Sequence, residues 1–189
     1  MIDCTTENLL VAVFKDGELF DSSVVKCGFK HSQTVMSAID DALQKSNLAL
    51  CDLDFLACNV GPGSFTGIRI GVATAKGLQV ATNKKTLGYT SLQVLHYHTN
   101  KKKCYIDSGN GYYFASYDKA NCVDSPCLIS YEQKDDNGAV YSMQENYLLA
   151  TVALINDLAK DASNFSTLKP LYIRKSQAEV NKDAQKVRV

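Results

Sequence analysis

An apolar segment that runs into a Gly-Pro-Gly turn and then into a long helix constrains this chain more than any other feature. The predicted strand is 54–60, the turn is Gly61-Pro62-Gly63, and the predicted helix continues to about Ala81. Glycine reaches backbone conformations that are closed to other residues and lets a second backbone come close, and proline presets φ in the turn. Ser64 and Thr66 follow the turn and are candidate caps for the first helical amides.

The residues of the turn leave two interpretations open. The free amides of the helix N-terminus can bind an anion, or the glycines can serve only to pack a strand closely against a helix. Three known motifs do not fit. No Gly-Lys-Ser/Thr follows the loop, Pro62 stands where a nucleophile elbow has its first glycine, and the glycine spacing is not that of a dinucleotide fingerprint.

Small residues recur every four positions inside the predicted helix, at Gly67, Gly71 and Ala75. Each glycine costs about 1 kcal/mol relative to alanine in a helix interior. A stripe that almost lacks side chains therefore indicates that another element approaches very closely. That element can belong to the same domain or to a partner.

The order of predicted elements is typical of ribonuclease-H-like and actin-like α/β domains. Three strands (ending at Asp3, over 9–14 and over 19–27) precede a helix at 31–45, the central strand, the glycine-rich helix, a strand at 86–89 and a helix at 91–98. The apolar face predicted for the first helix comprises Val35, Met36, Ile39 and Leu43. A nuclease of this fold needs carboxylates on two metal ions, and the central strand ends in Asn59-Val60 without one.

The second half of the chain predicts a smaller lobe. Its strands are predicted at 103–107, 112–117, 128–131 and 139–143, and its helix at 146–160. We therefore predict two lobes, residues 1–98 and a reduced lobe at 99–189. An actin-like ATP-binding phosphotransferase or ATPase is the catalytic alternative, with Asp3, Thr5 and Thr6 near phosphate and metal and a second turn at 107–109.

The amino-acid composition limits the classes of function that this chain can have. The 20 basic and 20 acidic residues balance, so no overall basic charge indicates direct binding to nucleic acid or membrane. Seven cysteines without C-x-x-C spacing predict reduced thiols in a cytoplasmic protein and disfavour a zinc site. The N-terminus lacks the pattern of a signal peptide, and the longest apolar run is too short to cross a bilayer.

The run Gly61 to Leu78 closely resembles the signature of the TsaB family, formerly called YeaZ. Further segments are similar to that family: Asp3-Cys4-Thr5-Thr6, His31-Ser32-Gln33, 87–92, Asp107 with Tyr113, and 170–174 with Ala178-Glu179. The resemblance is dense from residue 28 to residue 95. It implies an actin-like fold of two lobes and a role in forming threonylcarbamoyladenosine at position 37 of tRNAs that read ANN codons.

The family resemblance also implies that this chain supports catalysis by another subunit. TsaB proteins are non-catalytic relatives of the enzyme TsaD, formerly taken for a glycoprotease; they bind TsaD and support its activity, and the ATPase TsaE joins the complex. The catalytic relative carries an Asn-His-x-x-x-His metal motif, where this chain has Thr90, Ser91 and Leu95. We therefore expect no catalytic residue, no metal and no cofactor in this chain, with ATP and the metal ion belonging to the partner subunits and tRNA contacted through the complex.

The expected partner surface is the pair formed by the first two helices. The resemblance also implies that such proteins form homodimers through these helices when alone, and the sequence leaves open whether both contacts share one surface. Its predicted residues are His31, Ser32, Val35, Met36, Ile39, Gly67, Ile68, Gly71, Val72, Ala75 and Leu78. Because of the resemblance we favour a stripe that faces a partner, so Gly71→Leu is expected to disrupt dimerisation while sparing the fold. Asp3, Thr5 and Thr6 are expected as a vestigial cofactor site, and Gly61, Pro62, Gly63 and Ser64 as a structural turn.

Overall fold

The computed structural model describes residues 1–26, 28, 30–109, 111–118, 121–140 and 147–173. Its first sheet has the strand order β3-β2-β1-β4-β5. The strands are β1 (Ile2–Asp3), β2 (Asn8–Lys15), β3 (Glu18–Lys26), β4 (Phe55–Asn59) and β5 (Lys85–Tyr89). The short β1 lies at the centre, antiparallel to β2 and parallel to β4. Its carboxyl end therefore meets the carboxyl ends of β4 and β5.

Two helices cover one face of this sheet. They are α1 (His31–Lys45) and α2 (Phe65–Thr82). Their apolar stripes pack with Ile2, Leu9 and Cys58 in one core. The other face packs against α3 (Ser91–Thr99) and α4 (Tyr147–Ala159). This face includes Ala57, which alternates with Cys58 along β4 as the period of a strand requires.

The second sheet has the order β8-β7-β6-β9. Its strands are β6 (Lys103–Asp107), β7 (Tyr112–Asp118), β8 (Asn121–Ile129) and β9 (Ala139–Val140). Leu92 and Leu95 of α3 pack against the inner face of this sheet. α3 therefore contributes to the cores of both sheets and joins them.

The structure corrects two local predictions. The strand predicted at 128–131 begins earlier, because β8 pairs with β7 from Asn121 to Ile129. Met36 is 47% exposed, whereas Val35 and Ile39 are buried; one residue along a helix turns the side chain by about 100°, which takes Met36 off the buried stripe. The ends predicted at residues 27, 143 and 146 lie outside the described residues.

The segment 165–173 returns to the first sheet. Phe165 bridges to Leu87, the Ser166 amide donates to the Thr86 carbonyl at 3.0 Å, and Leu168 is buried in the α1–α2 core. The division into lobes 1–98 and 99–189 stays a prediction. Among the described residues, no helix combines the length and apolar character that crossing a membrane requires.

Candidate functional site

A buried polar network lies where β1, β4 and β5 end. Asp3 accepts through Oδ1 from the Thr5 amide at 2.8 Å and from Thr5 Oγ1 at 2.7 Å, and through Oδ2 from Asn59 Nδ2 at 2.7 Å. Asn59 Nδ2 also donates to Ser91 Oγ at 3.0 Å. Asn59 and Ser91 are 2% and 3% exposed. The network therefore satisfies its own polar groups, as burial demands.

The structure brings two of the three predicted cofactor residues together. Asp3 and Thr5 share the network, whereas Thr6 exchanges hydrogen bonds at 3.1 Å with the backbone of Asn8. Sequence reasoning missed Asn59 and Ser91 as members of this site. A polar residue at the end of an apolar strand could have identified Asn59 as a member of this site. The reason is that the carboxyl ends of neighbouring parallel strands meet at one edge of the sheet.

The Gly-Pro-Gly turn joins this network to α2. The Gly61 amide donates to Asn59 Oδ1 at 3.0 Å, and the Gly61 carbonyl accepts from the Ser91 amide at 3.0 Å. Gly61 has a φ of +112°, which favours glycine, and the Gly61-Pro62 peptide bond is cis. A Cβ on Gly63 would overlap the carbonyl oxygen of Thr5. The turn is therefore closed against the loop that follows β1.

The N-terminus of α2 is capped by the chain itself. Ser64 is the N-cap, and its side chain accepts from the Gly67 amide at 3.2 Å. The Ser64 amide donates to the Thr5 carbonyl at 2.7 Å. The cap predicted at Ser64 is confirmed, whereas Thr66 lies inside the helix. Because atoms of the chain already bind these two amides, the geometry favours a packing role for the turn.

The small-residue stripe of α2 faces the inside of its own domain. A Cβ on Gly67 would overlap the Cys4 carbonyl oxygen, and a Cβ on Gly71 would lie 3.4 Å from Cys4 Sγ and 3.6 Å from Cys58 Sγ. Burial raises the pKa of the Cys58 thiol, and Cys4 and Asp3 add to the effect. The stripe therefore packs on the two buried thiols of Cys4 and Cys58, and the prediction that it faces a partner is wrong.

Most of the predicted partner surface is buried in the chain itself. Eight of its eleven residues belong to the core: His31, Val35, Ile39, Gly67, Ile68, Gly71, Val72 and Ala75. Ser32 and Met36 are exposed, and Leu78 is half-buried. The structure therefore corrects the prediction for these eight residues, because a residue buried in the core cannot contact a second protein. That Ser32, Met36 and Leu78 contribute to a partner surface stays a prediction.

The positions that correspond to the metal motif carry structural side chains. Thr90 caps α3 by accepting from the Gln93 amide at 3.1 Å, and Leu95 is fully buried. The neighbouring His96 is also buried; its Nδ1 lies 2.7 Å from the Lys101 carbonyl, and its ring stacks on Tyr117 at 5.1 Å. In the part of the chain that the structure describes, no cluster of three His, Cys, Asp or Glu side chains could hold a metal ion.

Comparison with known proteins decides the family. The chain is 35% identical over 94 residues to the tRNA threonylcarbamoyladenosine biosynthesis protein TsaB of Escherichia coli K12, and 32% identical over 94 residues to TsaB of Haemophilus influenzae. A family model described as TsaD, tRNA N6-adenosine threonylcarbamoyltransferase, matches residues 26–124. The chain belongs to the TsaD family. Within that family it is similar to the TsaB proteins.

The matched region covers half of this chain and 40% and 39% of those two TsaB relatives. Solved structures match over more of the chain. YeaZ from Pseudomonas aeruginosa has a TM-score of 0.75 at 19% identity and covers 90% of this chain and 97% of its own. An uncharacterized protein from P. aeruginosa with similarity to peptidase YEAZ has a TM-score of 0.77 at 20% identity, covering 92% and 97%. The predicted TsaB/YeaZ resemblance and actin-like fold are confirmed.

Proposed function

We propose that this chain is a non-catalytic subunit in the formation of N6-threonylcarbamoyladenosine on ANN-decoding tRNAs. In this proposal it binds a TsaD-type threonylcarbamoyltransferase and activates it. A TsaE-type ATPase joins the complex, the tRNA is bound through the complex, and the chain forms a homodimer in isolation. ATP and the metal ion belong to the partner subunits, and the setting is the cytoplasm.

The observation that carries the proposal is the chemistry at the start of α3. Membership of the family indicates the pathway, and the side chains at the metal-motif positions indicate the role. Leu95 has no ligand atom, and Ser91 is a poor replacement for an imidazole. Both are buried and packed. These residues support the fold of α3 instead of the coordination of a metal.

The exposed residues of α1 and α2 supply a surface for the partner. The two helices lie side by side, and each exposes a large apolar side chain, Met36 at 47% and Val80 at 85%. Ala73 and Gly77 are exposed on α2, and nothing in the chain lies within 4 Å of a Cβ on Gly77. Apolar side chains beside small residues let a partner helix approach closely and bury apolar area.

Reconstitution with a purified TsaD-type enzyme, a TsaE-type ATPase and tRNA tests the role. Omitting this chain is expected to abolish modification, and adding it is expected to give a complex in size-exclusion chromatography. Ala73→Arg is expected to weaken that complex by about tenfold or more, because it places an unpaired charge on the surface. Ala153→Arg is the matched control, since Ala153 is an exposed alanine of α4. Full modification without the chain would refute the role.

Calorimetry with ATP and Mg²⁺ separates this proposal from an actin-like ATPase. Asp3 already accepts three hydrogen bonds from Thr5 and Asn59, which leaves its carboxylate little capacity for a metal-bound nucleotide. We expect no tight binding by the isolated chain. Tight binding that is lost in Asp3→Ala would favour the ATPase.

A further inference from the structure

Positive and negative charges are unevenly distributed along this chain. Residues 55–106 contain seven Lys or Arg and no Asp or Glu, although the whole chain balances 20 basic against 20 acidic residues. The segment 165–173 also lacks carboxylates, and it contains Lys169. The two stretches meet in the fold, because the Leu171 amide donates to the Val60 carbonyl at 2.8 Å. The fold therefore joins two stretches that carry no acidic side chain.

These stretches meet at the β5 edge of the first sheet. α1 packs on β2 and β3, whereas α2 packs on β4 and β5. The segment 165–173 bridges to β5, and its Tyr172 packs on Phe65 at the start of α2 with ring centroids 4.8 Å apart. This side of α2 therefore faces away from α1, which exposes Asp40 and Asp41 on its own outer side.

The side of α2 that faces away from α1 carries several cations. Arg69 and Lys76 are seven positions apart, so two helical turns place them on the same side of α2 as Phe65. Lys169 lines a cavity of about 530 Å³ at the same edge of the sheet. Together with two lysines at the start of β5, these residues form what we call the basic face: Arg69, Lys76, Lys84, Lys85 and Lys169.

The cations of the basic face are not paired with carboxylates in the part of the chain that the structure describes. Among those residues, no carboxylate oxygen lies within 4.0 Å of any of the five side chains, and the ion pairs lie elsewhere. Lys102 and Lys103 pair beside the second sheet, and Lys160 pairs on α4. Clustered cations without counter-charges raise the local positive potential, which is typical of a surface that binds a polyanion.

Arg69 is fixed in place by two aromatic residues. Its guanidinium lies 4.0 Å from the ring centroid of Phe65, and its Nε donates to the Tyr172 hydroxyl at 3.0 Å. A planar guanidinium held in this way is pre-organised to bind a phosphate in bidentate geometry. Ser166 and Thr167 line the neighbouring cavity. Arginine, lysine and hydroxyl side chains are those that contact the phosphates of nucleic acids.

We propose that the basic face binds the phosphate backbone of RNA directly. The charges indicate a polyanion, and the choice of RNA rests on the proposed function, in which a tRNA is bound by the complex. The ring of Tyr172 is 43% exposed and offers a surface on which an unpaired base stacks. Lys84, Lys85 and Lys169 lie outside α1 and α2, so they stay accessible when a protein partner occupies that helix pair.

Fluorescence anisotropy with a fluorescein-labelled tRNA transcript and the isolated full chain tests the proposal. We expect saturable binding with a Kd of about 1–100 µM at about 100 mM salt. The logarithm of the association constant should fall with the logarithm of the salt concentration with a slope of about −3 to −4, because four or five phosphates are contacted.

Two double variants with the same change in net charge locate the contact. Lys76→Glu with Lys169→Glu is expected to weaken binding about tenfold or more and to make the salt slope shallower by about 1.5. Lys102→Glu with Lys160→Glu is the matched control, since both lysines already pair with carboxylates outside the basic face. The control should bind tRNA within about twofold of the parent chain. Circular dichroism confirms that each variant is folded.

Lysine footprinting locates the contact without any substitution. Acetylation by N-hydroxysuccinimide acetate, read by mass spectrometry, should slow at Lys85 and Lys169 when tRNA is bound, and should be unchanged at Lys102 and Lys160. Absence of saturable binding up to about 100 µM, or equal weakening by the two double variants, would overturn the proposal. Binding to phosphatidylserine vesicles without binding to tRNA would also overturn it and would assign the face to a membrane surface.

Failure of this inference is distinguishable from failure of the proposed function. If modification stops when the chain is omitted, but the isolated chain does not bind tRNA, the subunit role stands and the RNA site is wrong. If the chain binds tRNA through the basic face, but modification proceeds fully without the chain, the RNA site stands and the subunit role is wrong.

Discussion

Alanine substitutions along α2 separate a buried glycine from an exposed one within the same helix. Gly67, Gly71 and Gly77 all lie in α2. A Cβ on Gly77 meets nothing within 4 Å, and a Cβ on Gly71 makes ordinary contacts of 3.4–3.6 Å with Cys4 and Cys58. A Cβ on Gly67 overlaps the carbonyl oxygen of Cys4 and lies 3.0 Å from its carbonyl carbon. The three positions thus form a series of increasing crowding.

The expected changes in the free energy of unfolding follow from this series. Gly77→Ala gains helix propensity without a contact and should stabilise the protein by about 0.5–1 kcal/mol. Gly71→Ala should be within about 1 kcal/mol of the parent, since the same gain meets close but tolerable packing. Gly67→Ala must push α2 away from a backbone carbonyl and should destabilise by about 3 kcal/mol or more. Moving α2 away from Cys4 would also lengthen the 2.7 Å hydrogen bond from the Ser64 amide to the Thr5 carbonyl.

Urea unfolding followed by far-ultraviolet circular dichroism measures these changes, with unchanged m-values as the check that midpoints report stability. In melting temperature, 1 kcal/mol corresponds to about 2–4 °C for a chain of this size. Gly71→Leu should unfold or strongly destabilise the protein, because a leucine has no room between α2 and the two thiols. A Gly67→Ala protein as stable as Gly77→Ala would refute the inward orientation of the stripe.

Three further perturbations test other parts of the structure. Asn59→Ala should lower stability by about 1–3 kcal/mol in urea unfolding, because Asp3 loses a buried hydrogen bond of 2.7 Å; parent-like stability would contradict the network. Among the described cysteines, a thiol reagent in native buffer should label the exposed set rapidly: Cys51, Cys122 and Cys127. The reagent should reach the buried cysteines only on unfolding; these are Cys4, Cys58 and Cys104. Burial removes access to their thiols and raises the pKa of the Cys104 thiol to about 12. Tyr172→Ala should speed hydrogen exchange at Leu171, because the tyrosine packs on Phe65 and accepts from Arg69 Nε at 3.0 Å; unchanged exchange would show that the segment is held by other contacts.

Much of the fold follows from local patterns in the chain. The strand, turn and helix around Gly61-Pro62-Gly63 were predictable because their apolar periodicity and their turn residues act within a few positions. The cap at Ser64 follows from the same local chemistry. The sequence also shows that Leu95 cannot ligate a metal ion, because its side chain has no ligand atom. Local chemistry thus predicted the elements and several of their ends.

The membership of the site depended on long-range pairing. Asn59 and Ser91 are 32 positions apart and meet because β4 and β5 run parallel and end together. Asp3 joins them through β1, 56 positions from Asn59. A polar residue after an apolar strand shows that a partner is needed, but it does not say which one. Only the pairing of strands selects the partner.

The sequence by itself determined that something comes very close to the stripe of Gly67, Gly71 and Ala75, because three small side chains on one helical face leave no other reason for their spacing. Only the tertiary structure decided that the neighbour is the chain's own Cys4 and Cys58. It likewise decided that the partner of Asn59 is Ser91, because β4 and β5 end together. The physical reason is the same in both cases. A residue pattern shows how much space a helix face or a strand edge leaves. Which residues fill that space depends on how segments that are distant in the sequence pack together.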